Sequence, residues 1–561
     1  MKVAQAIAKT LKEYDTEYFF LLTGGDQSLW ISLREVGIKM LLFRSEQAAT
    51  YAADGYSRVS GKVSFVYGQY GPGVPNVVSG LPEPYWALSP VVSLTTSTRT
   101  LTKDKYEYQE IDQIPMHYSL TKFNKQVIRP DRTPDLLRAA IRASTAPPSG
   151  SSHLEIPSDL LDVEIGDVPI YKEKSFGKVP SLRVAPEKDL VKIATDILLD
   201  AKRPIILAGI GVKWSEAWNE LKELAEYLKI PVATTLGGKG SISDYNPLSI
   251  GVIGRYSRKS ANDIVQESDT ILAIGTRLGP FETDTYRLIP RDAKIIHVDI
   301  DPMVLGSNYR EEVSIYADAK LFLVELLEEV KKRTKMRDMS NWTKFAIETT
   351  NKWKESFINI ASSSSNSPIH PAAIFAILNE ILPKDSVVVA DTGYMAAWSG
   401  SLYLIKEPGR NFLRANGSLG WAFPASIGAA LAAKDKNVIC IIGDGGIGYH
   451  ISEIETLIRL KINNVKILIL NNRSLAFEYH DQKYRYGTVV PEVNDFIDVN
   501  YAEVAKAFGI RGIRIQDKSE LKNNFINALS YEGPVLLDII VDKEISAPVT
   551  IYERALGGRV L

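Results

Sequence analysis

The sequence at residues 439–474 reads ICIIGDGGIGYHISEIETLIRLKINNVKILILNNRS. Its pattern predicts an apolar strand that runs into the Gly-Asp-Gly turn at 443–445, then an amphipathic helix and a second apolar strand. The second strand ends at Asn471 and Asn472. Open α/β sheets bind ligands beyond the carboxyl ends of their strands, where both sets of polar residues fall. The stretch therefore predicts a diphosphate and metal site at one sheet edge.

Asp444 and Asn472 supply the oxygen ligands of this predicted site. Carboxylate and amide oxygens are hard ligands that suit Mg²⁺, an ion that commonly bridges to phosphate oxygens. The backbone amides of Gly445 and Gly446, at the start of the following helix, can point at the same anion, and Gly443 opens the turn. A Gly-Asp-Gly sequence alone is an ordinary turn. An asparagine pair directly behind a buried strand needs polar partners, and this favours the binding site.

This order and spacing resembles the diphosphate motif of thiamine diphosphate enzymes in the acetolactate synthase, pyruvate oxidase and 2-oxoacid decarboxylase superfamily. The resemblance covers nearly the whole chain. It implies an α/β fold of three doubly wound parallel-sheet domains, with thiamine diphosphate and Mg²⁺ as cofactors. The implied metal ligands are the side chains of Asp444 and Asn472 and the backbone carbonyl of Ser474.

Strand and helix patterns alternate along the chain, which predicts parallel sheets. Polar tracts at 171–186 and 362–367 are interpreted as linkers. The resulting prediction is a pyrimidine-binding domain, a central Rossmann-like domain, a diphosphate-binding domain and a tail or lid, at residues 1–170, 187–335, 368–545 and 546–561.

Composition excludes several functional classes. The 561 residues carry a formal net charge of −1 and are 45% hydrophobic, so nothing suggests a nucleic-acid partner. The single cysteine, Cys440, lies in an apolar run and excludes a disulfide framework within one chain. No apolar run approaches the roughly 18 residues of a membrane span, and the charged start at 1–15 does not resemble a signal peptide. We therefore expect a cytoplasmic enzyme with no membrane partner.

The resemblance assigns further residues to the cofactor. Glu46 opens a predicted helix and resembles the family's glutamate, whose acid hydrogen-bonds the aminopyrimidine ring. The loop that contains Gly71 and Asn76 resembles the family's Gly-Pro-Gly loop near that ring. Read alone, the glutamate is an ordinary helix-start acid and the loop an ordinary tight turn.

Two segments of the third domain complete the implied cofactor site. Gly417, Ser418 and Leu419 match the segment that holds the cofactor bent, and Leu419 falls where the family places its large apolar wedge. Asp391 and Gly393 follow a predicted strand and would lie by the diphosphate or thiazolium. Because the family joins its glutamate and its diphosphate site across a subunit interface, the resemblance implies a homodimer or a homotetramer.

Fewer residues indicate the reaction than indicate the cofactor. Glu478 follows the asparagine pair at the place where pyruvate decarboxylase-like enzymes carry a proton-handling glutamate, and this favours a lyase. Gln109 resembles the active-site glutamine of acetolactate synthases. The tail, with Arg554 and Arg559, could close over the site and meet the phosphates of coenzyme A. The favoured prediction is cleavage of a 2-hydroxyacyl-CoA to formyl-CoA and a carbonyl compound. The alternatives are an acetolactate synthase catalytic subunit and a 2-oxoacid decarboxylase.

The central domain carries a weaker nucleotide signal. Gly209, Gly211, Arg277 and Asp299 resemble the family's nucleotide fold, which holds FAD in acetolactate synthases and ADP in some acyl-CoA enzymes. A lone Gly-x-Gly is a weak motif, so the domain could equally be empty.

Overall fold

The computed structural model describes residues 1–555 and contains three six-stranded sheets. The strands of the first sheet pair in parallel in the order β2-β1-β3-β4-β6-β5. These strands are β1 (Tyr18–Leu21), β2 (Lys39–Leu42), β3 (Ser64–Gly68), β4 (Val91–Ser97), β5 (Asn124–Gln126) and β6 (Ser152–Pro157).

The second sheet has the order β12-β11-β10-β7-β8-β9. Read from the other edge, this is the 3-2-1-4-5-6 order of dinucleotide-binding folds, so the central domain is Rossmann-like as predicted. Its strands are β7 (Pro204–Ala208), β8 (Val232–Thr234), β9 (Ser249–Val252), β10 (Thr270–Ile274), β11 (Lys294–Asp299) and β12 (Val313–Tyr316).

The third sheet repeats the order of the first, as β14-β13-β15-β16-β18-β17. The predicted fold of three doubly wound α/β sheets is therefore confirmed, and so is the similarity of the outer two. Its strands are β13 (Val387–Ala390), β14 (Phe412–Arg414), β15 (Val438–Gly443), β16 (Val465–Asn471), β17 (Arg511–Ile515) and β18 (Val535–Ile540).

Helices connect the strands throughout. Those up to the end of the second sheet are α1 (Val3–Glu13), α2 (Gln27–Glu35), α3 (Glu46–Ser60), α4 (Gly73–Gly80), α5 (Pro82–Ala87), α6 (Ile114–His117), α7 (Thr133–Thr145), α8 (Lys188–Asp200), α9 (Ile210–Trp214), α10 (Trp218–Leu228), α11 (Lys259–Gln266) and α12 (Ala319–Arg333). Those that follow are α13 (Asn341–Ser363), α14 (Pro371–Ile381), α15 (Tyr394–Leu402), α16 (Ala422–Ala432), α17 (Asp444–His450), α18 (Glu453–Arg459), α19 (Ala476–Asp481), α20 (Pro491–Asn494), α21 (Tyr501–Phe508), α22 (Lys518–Ser530) and α23 (Thr550–Ala555).

Helix α13 corrects the linker prediction between the second and third sheets. Residues 362 and 363 of the predicted linker are the last two residues of this 23-residue helix, and residues 364–367 follow it as non-helical chain. The helix forms because Trp342, Ala346 and Thr350 recur every four residues and are buried, so they make one packed face. Ser340 caps its start by accepting the backbone N–H of Thr343 at 3.1 Å.

The chain divides into two compact units. The first comprises residues 1–182, 415–438 and 449–465, and the second comprises 183–414, 439–448 and the residues from 466 onward. Helices α16 and α18 thus belong to the unit that contains the first sheet, although the sequence pattern places them in the third domain. The predicted domain boundaries stay predictions.

Within the first unit, helices α3 and α16 pack closely through two glycines. A methyl group built on Gly55 would lie 2.1 Å from the carbonyl oxygen of Ala425, and one on Gly428 would lie 1.8 Å from that of Ala52. Residue numbers increase along α3 while those of its contacts on α16 decrease, so the two helices run antiparallel. Only glycine allows the two backbones to approach this closely.

A stacked pair of buried histidines lies between β4, β6 and α6 in the same unit. The rings of His117 and His153 are 3.5 Å apart and parallel within 1°. Nδ1 of His117 donates to the carbonyl of Gln113, and Nδ1 of His153 donates to Oδ1 of Asn124. Burial lowers the pKa of His117 to about 4 and that of His153 well below its ordinary range. Both rings are therefore neutral in the folded protein.

We predict that Gly428→Ala destabilises the protein. An alanine normally stabilises an exposed helix by about 1 kcal/mol over glycine. Here the added methyl collides with the backbone of α3, so we expect a loss of about 1–3 kcal/mol in the free energy of unfolding. Urea denaturation measures it. Gly448→Ala is the control, because its methyl meets no atom within 4 Å. Equal stability of G428A and the wild type would contradict this packing.

We also predict that acid destabilises the fold through His117. Its pKa is about 4 when folded and about 6.5 when unfolded, so the unfolded chain binds more protons between these values. Stability is therefore lost as the pH falls from about 6.5 to about 4, by up to about 3 kcal/mol for this group. His117→Phe should flatten the pH dependence of the melting temperature in this window. Parallel curves for variant and wild type would rule this out.

Candidate functional site

Glu46 begins α3, directly after strand β2, and its side chain is 6% exposed. Ser45 caps the helix by accepting the backbone N–H of Ala48 at 3.1 Å, which fixes the direction in which α3 starts. The side-chain amide of Asn76, from α4, donates to Oε2 of Glu46 at 3.0 Å. Both predicted residues therefore lie in one place, and the carboxylate is held by a hydrogen bond.

The Gly-Pro-Gly loop at 71–73 touches the same carboxylate. A methyl group built on Gly73 would lie 2.9 Å from Oε1 of Glu46. Gly71 adopts a positive φ of 78°, and a methyl there would lie 2.5 Å from Cβ of Gln109. The structure thus brings Glu46, Gly71, Asn76 and Gln109 together in the first unit. Gly73 also lies against Glu46, and only its position in the Gly-Pro-Gly motif indicates this contact from the sequence.

The predicted cofactor-bending loop also belongs to the first unit. Gly417 has a φ of 146°, a conformation that favours glycine. The backbone N–H of Ser418 donates to Oε1 of Glu83 at 2.9 Å, and Leu419 is partly buried. Glu83 belongs to no motif, so sequence patterns do not predict its contact with this loop.

Asp444 lies in the second unit, where β15 passes into α17. Its side chain is 5% exposed, and Oδ2 is buried with no hydrogen-bond partner among the described residues. Burial raises its pKa to about 7. A buried carboxylate oxygen with no partner is costly unless a ligand completes it.

The two asparagines after β16 have different roles. Asn471 is fully buried and donates to Oδ1 of Asp538 at 2.9 Å, which is a structural contact. Oδ1 of Asn472 accepts the backbone N–H of Ser474 at 3.1 Å across a turn in which Arg473 has a positive φ of 59°. Asn472 and Ser474 therefore form one compact turn beyond the strand end.

Strands β13, β15 and β16 are neighbours in the third sheet, so their carboxyl ends form one edge. Asp391 follows β13 and is fully buried, and a methyl group on Gly446 would lie 2.3 Å from its Oδ2. A methyl on Gly445 would lie 2.8 Å from Leu475, whereas Gly443 has open space beside it. Gly393 opens α15 with a φ of 64°.

The donor set at this edge fits Mg²⁺ with a diphosphate. Mg²⁺ takes one or two protein oxygens and completes its shell with phosphate and water. The unpartnered Oδ2 of Asp444 and the amide oxygen of Asn472 meet that need. In the described part of the chain, no cluster of three or more His, Cys, Asp or Glu side chains forms a metal site of another kind. Tyr501, which was not predicted, donates its hydroxyl to the backbone carbonyl of Asp444 at 3.1 Å.

Glu478 is exposed in the first turn of α19. An aromatic cluster surrounds this turn, in which Tyr394 and the buried His480 share a 2.6 Å hydrogen bond. Burial lowers the pKa of His480 to about 4. Tyr552 of the tail helix α23 packs on both of these rings. The exposure of Glu478 weakens the argument that it is a positioned acid, although its proton-handling role stays a prediction.

Asp284 binds two residues of the tail. Oδ1 of Asp284 accepts the hydroxyl of Thr550 at 2.5 Å, and Oδ2 forms an ion pair with Arg554. This contact gives Arg554 a structural partner. Arg559, the other predicted contact for coenzyme A, lies outside the described residues.

Gly209 and Gly211 of the central domain pack closely against the backbone of Gly275. A methyl on Gly209 would lie 2.1 Å from the carbonyl oxygen of Gly275, and one on Gly211 would lie 2.6 Å from its Cα. Burial raises the pKa of Asp299, at the end of β11, to about 6. Arg277 lies in the turn after β10. These residues keep the nucleotide prediction open.

Comparison with known proteins identifies the same three domains. The chain matches the thiamine pyrophosphate enzyme N-terminal TPP binding domain over residues 1–116, the central domain over 191–326 and the C-terminal TPP binding domain over 391–539.

Relatives match over most of their length. The chain is 34% identical to a "probable acetolactate synthase large subunit" of Methanococcus aeolicus, over 97% of this chain and 92% of that protein. The protein of the same name in Methanocaldococcus jannaschii is 34% identical, over 98% and 93%. The "acetolactate synthase large subunit" of Lactococcus lactis is 28% identical, over 96% and 92%.

Among residues 1–555, no helix combines the length and apolar character that a membrane span requires.

We predict that Gly446→Ala abolishes the binding of thiamine diphosphate with Mg²⁺ while the protein stays folded. The methyl would force Asp391 or α17 to move at the point where the diphosphate is expected. Isothermal titration calorimetry measures the binding, and circular dichroism checks the fold. Gly448→Ala serves as the control and should bind normally, because a methyl group on Gly448 would have no atom outside its own helix turn within 4 Å. Wild-type affinity in G446A would show that this edge does not hold the diphosphate.

Proposed function

The chain belongs to the thiamine pyrophosphate enzyme family, and from that premise we propose that it is an acetolactate synthase catalytic subunit. The proposed reaction condenses two 2-oxo acid molecules with loss of carbon dioxide from one. The observation that carries the proposal is its 34% identity to two proteins named "probable acetolactate synthase large subunit", over more than nine-tenths of their length.

The lyase reading receives no such support. None of the relatives named above is a 2-hydroxyacyl-CoA lyase. Its main argument was Glu478 as a positioned acid, and that side chain is exposed. A general acid works best when burial and neighbours tune its pKa and hold its position. The synthase, which was the alternative from the sequence, is therefore the better proposal.

The proposed roles of the site residues follow from their contacts. When bound, thiamine diphosphate supplies a C2 carbon that becomes a nucleophile once its proton is removed. Glu46, held by Asn76, would hydrogen-bond the aminopyrimidine and set the tautomer that accepts this proton. Asp444, Asn472 and the carbonyl of Ser474 would hold Mg²⁺. The amides of Gly445 and Gly446 would meet the diphosphate.

A second copy of the chain is part of the proposal, and the antiparallel packing of α3 and α16 supports it. Glu46 is at the start of α3, whereas the 416–421 loop lies near its end, where the guanidinium of Arg58 stacks 4.4 Å from the ring of Trp421. Trp421 also donates to Asp54, so the contacts of this loop lie eight to twelve residues after Glu46, about 12–18 Å along the helix. Glu46 and Leu419 of one chain are therefore too far apart to serve one cofactor. We propose that they come from two subunits of a homodimer, or of a homotetramer built from it.

Two arginines of the second unit support a carboxylate substrate. The guanidinium groups of Arg255 and Arg414 each lie 5.7 Å from the centre of the Phe281 ring. Tyr256 packs on Phe281, with ring centres 4.9 Å apart, and also on Phe477 of the aromatic cluster. Nε of Arg255 is buried with no hydrogen-bond partner in the described chain. A guanidinium group suits the carboxylate of a 2-oxo acid. FAD or ADP in the central domain remains a proposal without a supporting contact.

The test is the purified full-length protein with thiamine diphosphate and Mg²⁺. It is assayed in parallel against pyruvate and a short 2-hydroxyacyl-CoA, with and without FAD. Acetolactate from pyruvate is expected. Formation of formyl-CoA from the thioester, with no acetolactate from pyruvate, would overturn the synthase proposal and support the lyase.

We predict that Glu46→Gln lowers the turnover number by about 10²-fold or more, because Glu46 sets the tautomer that acts as the general base, and a general base contributes about that much. The diphosphate affinity should change little, since Glu46 is assigned to the pyrimidine. Steady-state kinetics and calorimetry separate the two effects. Unchanged turnover in E46Q would remove the assigned role of this carboxylate.

A further inference from the structure

Glu83 is a buried acid that no part of the proposed chemistry uses. It lies on the short helix α5, and its side chain is 1% exposed. Its carboxylate accepts the backbone N–H of Asn416 at 2.7 and 2.9 Å and that of Ser418 at 2.9 Å. The side-chain amide of Asn416 donates to the same group at 3.2 Å. A buried carboxylate thus holds the two residues on either side of Gly417.

The other side of this carboxylate faces a buried charge network. Nη2 of Arg58 donates to Oε2 of Glu83 at 3.2 Å, and the same guanidinium pairs with Asp54 at 2.6 Å. Nε1 of Trp421 donates to Oδ2 of Asp54 at 3.0 Å. Two acids share one arginine, so one negative charge has no cationic partner when both carboxylates are ionised. The backbone N–H groups of the 416–418 loop compensate that charge, because charge-assisted hydrogen bonds to a carboxylate are strong.

This arrangement matters because of what lies between the anchored residues. Gly417, with its φ of 146°, could adopt many conformations if it were free. With Asn416 and Ser418 both bonded to one carboxylate, the loop has one conformation, and Leu419 follows directly. Leu419 is the residue predicted to hold the cofactor bent. A loop that is fixed before binding does not lose that freedom on binding.

We propose that Glu83 is a positioning residue that sets the 416–419 loop in the conformation that receives thiamine diphosphate. The inference rests on the proposed cofactor binding for its functional part. Its structural part, that one carboxylate holds the loop, does not depend on cofactor binding. Glu83 acts through the loop and does not touch the cofactor.

The test replaces Glu83 by glutamine in the full-length protein. A glutamine has nearly the same shape, but its amide nitrogen would face the loop N–H groups, and the charge that they compensate is gone. The affinity for thiamine diphosphate with Mg²⁺ should fall at least about 10-fold, because the binding-competent conformation is less populated. Hydrogen exchange at the amides of Asn416 and Ser418 should become at least about 10-fold faster, without cofactor.

Glu453→Gln is the matched control. Glu453 is another fully buried acid of the first unit, which accepts the N–H of Arg44 at 2.9 Å and the hydroxyl of Thr456 at 2.6 Å. In the part of the chain that the structure describes, no hydrogen bond or ion pair joins Glu453 to the 416–419 loop. E453Q should lower stability but leave the affinity and the exchange of the two loop amides unchanged. Glu83→Asp keeps the charge on a shorter side chain and should give intermediate values for both.

The outcomes separate the two proposals. Faster loop exchange and weaker binding in E83Q alone would support the positioning role. Wild-type exchange in E83Q, or equal loss of affinity in E83Q and E453Q, would overturn it. If the wild type bound no thiamine diphosphate, the proposed function would be wrong. The hydrogen-exchange measurement would still show whether Glu83 holds the loop in one conformation. If E83Q did not fold, E83D would carry the same comparison, and wild-type values for both readouts there would overturn the proposal.

Discussion

The close approach of helices α3 and α16 is the constraint on which the first unit depends. Gly55 and Gly428 let the two backbones come together where any larger side chain would collide. The helices run antiparallel, so this contact fixes Glu46 at one end of the pair and the 416–421 loop at the other. A single packing contact thus separates two parts of the proposed site, and this separation is the physical reason to expect two subunits.

Buried charge fixes the loop end of the same helix pair. Taking Asp54, Arg58 and Glu83 out of water is costly, and a buried group of this kind is stable only when each charge has its partners. Here the partners are Trp421 and the backbone of the loop. The network joins α3, α5 and the start of α16, because Arg58 pairs with both acids and its loss would leave two buried carboxylates without a cation. Rigidity at the loop is therefore a consequence of electrostatics as much as of packing.

The sequence predicted the features that depend on short stretches of chain. Asp444 and Asn472 stand at the ends of two successive strands, so their proximity followed from the parallel sheet, and the fold class and family were confirmed. Glu83 could not be found in this way, since Asn416 is 333 residues away and a buried glutamate on a short helix carries no pattern. Helix α13 was missed for a different reason. Its serine-rich end looked like a linker, and its buried face is visible only if Trp342 and Ala346 are counted at helical spacing.

The same distinction explains why the cofactor was easier to infer than the reaction. Cofactor binding depends on backbone turns at strand ends, where residue type and position are both constrained by local geometry. The choice between a synthase and a lyase depends on side chains such as Arg255, Arg414 and Glu478, which come from separate segments of the second unit. Folding alone decides which of these face one another, and it leaves Glu478 exposed while it places both guanidinium groups against Phe281. The side chains on which the choice of reaction depends are therefore brought together by tertiary contacts, which the order of residues along the chain does not reveal.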